Sequence, residues 1–248
     1  MKAQLPNFVK TGNSGFSLIE MAMVLLIIGT LMSGVLVAIG QSTENTRRTT
    51  ARNQMRQLEE ALYSFAQIRG YLPCPATGTS SGLEVPATQT PGVACTEQHG
   101  FFPAATLGIP GAVNADGLLL DPWQNPYRYS VTNSGTDDFT VPSALATMYS
   151  TYSNGALMNV CQEAACTNVI SSVAAAVILS MGPNWANYTS ADEIENAGDG
   201  STQLDGYNVT STTDFVSTTY NDATFDDQLV WISPYVLFGK MISAGILP

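Results

Sequence analysis

Apolar residues run almost unbroken from Phe16 to Gly40 (FSLIEMAMVLLIIGTLMSGVLVAIG), and the only charge in the run is Glu20. As a helix rising about 1.5 Å per residue, this run of about 25 residues predicts a segment able to cross a bilayer core of about 30 Å. From Gln41 the pattern changes. Ala51, Met55, Leu58, Leu62 and Phe65 recur at three- and four-residue steps among Arg and Glu, which predicts an amphipathic helix over 41–69 with one face against a folded domain. Gly70 and then Leu72-Pro73-Cys74-Pro75 end that helix, because glycine suits the C-terminal cap and proline cannot continue it.

Residues 76–110 are rich in Gly, Pro, Thr and Ser and read as irregular, with His99 in an exposed loop. Asn114-Ala115-Asp116-Gly117 reads as a turn, and Asp121 to Val131 (DPWQNPYRYSV) as a turn entering an alternating strand. Val169 to Ser180 is apolar but too short to cross a membrane as a helix, and its second half reads as a buried strand. Phe225 to Ser233 supplies another strand, and Tyr235 to Ile246 either a short apolar helix or a last extended segment. The expected class is α+β: a long N-terminal helix, hydrophobic in its first half, packed by its second half on an antiparallel sheet in a head of residues 70–248.

Charge divides the chain. The net value is -11, and seven of the nine Lys and Arg residues lie at or before Arg69. From Glu84 onward 16 acidic residues face only Arg128 and Lys240, a balance of about -14 that repels nucleic acid. Lys2 and Lys10 precede the apolar run, whereas Arg47, Arg48, Arg52 and Arg56 follow it, so charge bias orients the segment only weakly. The four cysteines, Cys74, Cys95, Cys161 and Cys166, lack CxxC spacing and point to disulfides in an oxidising compartment. Three pairings are open. Proximity favours Cys74 with Cys95 and Cys161 with Cys166, and buried free thiols are the plainer alternative.

Gly15-Phe16-Ser17-Leu18-Ile19-Glu20, followed by the apolar helix, resembles the N-terminal signature of type IV pilins and pseudopilins. The resemblance implies a leader over 1–15, cleavage between Gly15 and Phe16 by a prepilin peptidase, N-methylation of Phe16, and Glu20 as the carboxylate that docks on a neighbouring subunit. Asp121-Pro122-Trp123-Gln124-Asn125-Pro126-Tyr127 resembles a motif of the major pseudopilin of type II secretion. Together they imply a single pass through a bacterial inner membrane with a periplasmic head, then an extracellular pilus or periplasmic pseudopilus. The implied partners are other pilin or pseudopilin subunits, the inner-membrane assembly machinery, and the membrane before assembly. Family members often carry a proline within the helix, and this chain has none. The residues alone leave open an unprocessed signal anchor.

Asp192, Glu193, Glu195, Asp199 and Asp205, with Asp226 and Asp227 further on, form the densest acidic region, and hard divalent cations prefer such oxygen ligands. Calcium is the natural cofactor candidate, at Asp192, Glu193, Asp199, Asp226 and Asp227, and resemblance to the major pseudopilin points the same way. No EF-hand pattern is present, so a solvated hydrophilic loop is the alternative. His99 is the sole histidine, and the chain has no HExxH pair or phosphate-binding glycine loop. The expectation is a non-enzymatic structural subunit. The competing reading is an adhesive minor pilin whose enlarged head contacts a surface or partner.

Overall fold

The computed structural model describes residues 15–86, 95–134, 137–151, 158–185, 190–197, 214–221 and 224–248. Most of the expected leader, the calcium candidate Asp199, and Asp205 lie outside the described residues. The chain divides into two compact units, Met1–Thr46 and Arg47–Pro248.

Helix α1 (Leu18–Arg69) begins in the first unit. Ser17 caps it: its Oγ accepts the Glu20 N–H at 3.2 Å, while Glu20 Oε2 accepts the Ser17 N–H at 3.5 Å. The described apolar side chains that follow are exposed, from Phe16 (78 %) and Leu18 (90 %) through Leu31 and Met32.

One expectation is corrected here. Among the described residues no helix is long and apolar enough to cross a membrane, so the single-pass inner-membrane localisation is not supported. Glu20 places a carboxylate in the first turn of α1, at the head of the apolar stretch.

The second unit is α+β. Four antiparallel strands form its main sheet in the order β1-β2-β7-β9: β1 (His99–Phe101), β2 (Arg128–Val131), β7 (Ala176–Ser180) and β9 (Gln228–Ile232). Tyr129 pairs with Ile178, and Ile178 in turn with Val230. One face packs on the second half of α1, where Met55, Leu58, Leu62 and Ala66 join Tyr127, Tyr129, Ile178 and Ile232 in a single core. Helix α5 (Pro234–Ser243) completes that face through Leu237, Phe238 and Met241. Its Lys240 reaches Glu60 of α1 at 2.8 Å. The apolar periodicity after Gln41 thus has its expected partner.

The opposite face is also covered, which explains why β7 is buried at every position. There a smaller sheet runs β6-β5-β8, with β5 (Met158–Cys161) antiparallel to β6 (Val169–Ala174) and parallel to β8 (Asp214–Val216). Met158, Val160 and Phe215 meet Val177, with Leu229 and Trp231 packed against them. The run 169–180 is therefore two strands, and the 235–246 segment is largely helical. Smaller elements fill the connections: α2 (Ala104–Leu107), the ribbon of β3 (Asn133–Ser134) and β4 (Asp137–Asp138), α3 (Pro142–Thr151) and α4 (Ala191–Ala197).

Both expected cystine bridges form, Cys74–Cys95 and Cys161–Cys166. His99 departs from its expected place in an exposed loop. It is buried in β1, and its Nδ1 lies 2.7 Å from Ser130 Oγ on β2.

Candidate functional site

The motif at 121–127 builds a rigid corner around one buried carboxylate. Asp121 is 2 % exposed; its Oδ1 accepts the Trp123 and Asn125 N–H groups, each at 2.9 Å, and its Oδ2 accepts the Ser180 hydroxyl at 2.6 Å. Burial raises its pKa, opposed by those same hydrogen bonds. Asn125 in turn donates to the Gly182 carbonyl at 2.6 Å, so the motif fixes the chain just past β7.

Gly182 leads to the acidic region. Its φ of +62° is a left-handed conformation, and a Cβ there would collide with the Asp226 carboxylate packed against it. Glu193, on α4, is 1 % exposed; its Oε1 accepts the Asn184 amide at 3.0 Å and the Asp226 N–H at 3.2 Å. Asn196, one helical turn on, is fully buried: it donates to Asp227 Oδ2 at 2.8 Å and to the Val216 carbonyl at 3.0 Å, and accepts the Val216 N–H at 2.7 Å. Burial above all, then the neighbouring charges of Asp226 and Glu193, hold the Asp227 pKa well above the ordinary carboxylate range, against the Asn196 hydrogen bond.

Of the calcium candidates, Glu193, Asp226 and Asp227 therefore share one buried neighbourhood. Asp192 does not join them: its Oδ1 accepts the Ala164 N–H at 2.8 Å and steadies the loop closed by Cys161–Cys166. The donor set fits a hard cation in one respect, because Glu193 Oε2 and the Asn184 side-chain oxygen are buried without a hydrogen-bond partner. Among the described residues, however, the one set of three His, Cys, Asp or Glu ligand atoms within 4.8 Å of one another is Cys161, Cys166 and Asp214. Those sulfurs are joined as a disulfide, which leaves no thiolate to bind metal. A cation beside Glu193 would thus draw on the Asn184 oxygen as well as carboxylates.

At the other end of the chain, Phe16 and Glu20 are exposed and Gly15 has open space around it.

No protein-family model matches the chain, and no curated protein or solved structure matches it. The sequence missed Gly182, Asn184, Asn196 and Gln228. The first two stand in Met181-Gly182-Pro183-Asn184, legible as a turn, but nothing in the sequence placed that turn against 226–228.

Proposed function

We propose that the chain is a structural subunit of a filament of the type IV pilin or secretion pseudopilin kind, cleaved between Gly15 and Phe16 and assembled through the start of α1. The observation that carries this reading is the set of exposed apolar side chains from Phe16 to Met32, interrupted by the polar Ser17 and Thr30 and carrying the single charge of Glu20. A monomeric surface rarely exposes a contiguous apolar patch of this extent, and such patches mark contact surfaces. Packing of α1 against the same helix of neighbouring copies would bury it, and a terminal amine on Phe16 would pair with Glu20 of a neighbour in a low-dielectric setting. Partners are then other copies or related subunits and the peptidase that removes the leader, and no catalytic role is assigned.

The head fits this role. It has its own core and is pinned by two disulfides. Calcium at Glu193, with Asn184 and its carboxylate neighbours, is proposed as a structural ion that would relieve the buried negative charge.

The direct test is purification of filaments sheared from cells. The chain should be found in the filament fraction, and removal of residues 16–32 should abolish its presence there. An unchanged filament population lacking the chain would overturn the reading.

A further inference from the structure

A cavity of about 330 Å³ opens on the second unit between α1 and the start of β9, bounded by Arg52, Arg56, Ser217, Thr218, Asp227 and Gln228. Its size lies at the lower end for ligand pockets and accommodates a single sugar ring or a small organic acid. Three features give it chemistry.

First, Arg52 and Arg56 stand one helical turn apart on α1 with exposed side chains, and a planar guanidinium matches a carboxylate through paired N–H donors. Arg56 is steered by a 3.1 Å hydrogen bond to Asn53 Oδ1. Arg48, a further turn back, lies over the Tyr220 ring at 3.4 Å, and Tyr220 also lines the cavity. In a chain of net charge -11, this is a local concentration of positive charge.

Second, Gln228 is 7 % exposed, and both its amide nitrogen and its amide oxygen are buried without a hydrogen-bond partner. A buried donor and acceptor left unmet cost about 1–3 kcal/mol each, so a side chain with both open is set for a ligand that donates and accepts at adjacent atoms. A hydroxyl pair on a sugar ring does that while a carboxylate elsewhere on the ring serves the arginines; in inorganic phosphate the same few oxygens on one atom would have to serve both. Third, Ser217 and Thr218 add hydroxyls to the wall.

We propose that this cavity binds a carboxylated, hydroxylated small molecule of the acidic-saccharide class, with its carboxylate on Arg52 and Arg56 and its hydroxyls on Gln228. The proposal does not depend on the filament reading, because every residue it uses belongs to the second unit.

Glucuronate, glucose and inorganic phosphate are the probes, titrated separately into the full chain in mild detergent and followed by saturation-transfer NMR and calorimetry. Glucuronate should bind at least tenfold more tightly than either of the others. The doubly substituted Arg52→Ala/Arg56→Ala protein, altered only at exposed helix positions, should lose at least tenfold of that affinity with its thermal unfolding unchanged. Gln228→Leu should lose the preference for glucuronate over phosphate. Equal binding of phosphate and glucuronate, no glucuronate binding, or unchanged binding by the arginine variant would each overturn the assignment; should Gln228→Leu fail to fold, the arginine variant and the probe series still decide it.

Discussion

Ser17 and Glu20 hold each other at the start of α1, the hydroxyl of one accepting the N–H of the other at 3.2 Å while the carboxylate turns back to the Ser17 N–H. A Ser-x-x-Glu capping box is a sufficient local reason for a glutamate at this position, independent of any neighbour. The two roles separate by substitution. Glu20→Gln keeps the box but removes the charge, so isolated protein should retain its helix content by circular dichroism. If the carboxylate also pairs with a neighbouring subunit, the same variant should reduce sheared filament yield at least tenfold. Wild-type yield from Glu20→Gln would leave Glu20 a cap and nothing more.

Asp121 organises the corner before β2 by accepting two backbone N–H groups and the Ser180 hydroxyl while almost fully buried. Asp121→Ala strands those donors away from water and should cost about 2–4 kcal/mol in denaturant unfolding. Asp121→Asn keeps acceptor capacity at one oxygen and should cost less than Asp121→Ala.

His99 gives the fold a definite pH response. Burial lowers its pKa from 6.5 to about 4, so between those values the unfolded chain binds a proton that the folded chain does not. Its contribution is fully present above pH 6.5 and is lost as pH falls toward 4, to a total of about 3 kcal/mol. The raised pKa values of Asp121 and Asp227 act in the opposite direction, since the folded state retains their protons above 3.8. The comparison to make is therefore between wild type and His99→Gln: unfolding free energy measured from pH 7 to 4.5 should fall more steeply for wild type, and parallel curves would contradict the assignment.

Much of this architecture was legible in the chain. The Ala51-to-Phe65 periodicity announced the helix face that meets the sheet, because burial on one side of a helix imposes its period on the sequence. The alternation after Pro126 also announced β2, although all four of its residues are buried. The near-continuous apolar run of β7 marked a strand buried on both faces, but nothing local said that the smaller sheet of β6, β5 and β8 would cover the second face. His99 was misplaced for a related reason: β1 has only three residues, and its pairing with β2 is a long-range event that no local pattern encodes. The acidic residues stood out by count, yet which of them converge depends on α4 meeting the 226–228 segment. That meeting joins Glu193 to Asp226 and Asn196 to Asp227, and leaves Asp192 on the cystine loop.

Calcium can be tested on that distinction. Addition of 1 mM calcium, about the level at which extracellular modules bind it, should raise the thermal midpoint of the wild type by several degrees. Glu193→Gln should abolish the increase, whereas Asp192→Asn should keep it. A midpoint indifferent to calcium and to chelator would remove the ion from the description.

The Cys74–Cys95 bridge closes a loop with a sequence separation of 21. Chain-entropy arguments give such a crosslink about 3 kcal/mol, so Cys74→Ser/Cys95→Ser should lower unfolding free energy by about that amount. Peptide mapping without reductant should recover Cys74 linked to Cys95 and Cys161 linked to Cys166; crossed pairs would contradict the fold around β1 and β5.

The most direct measurement is N-terminal peptide mass spectrometry of the chain recovered from sheared filaments. Assembly through a processed α1 predicts a mature terminus at Phe16 carrying one added methyl group, with no peptide spanning Gly15 and Phe16. A chain that retains Met1, or that never enters the filament fraction, would contradict it.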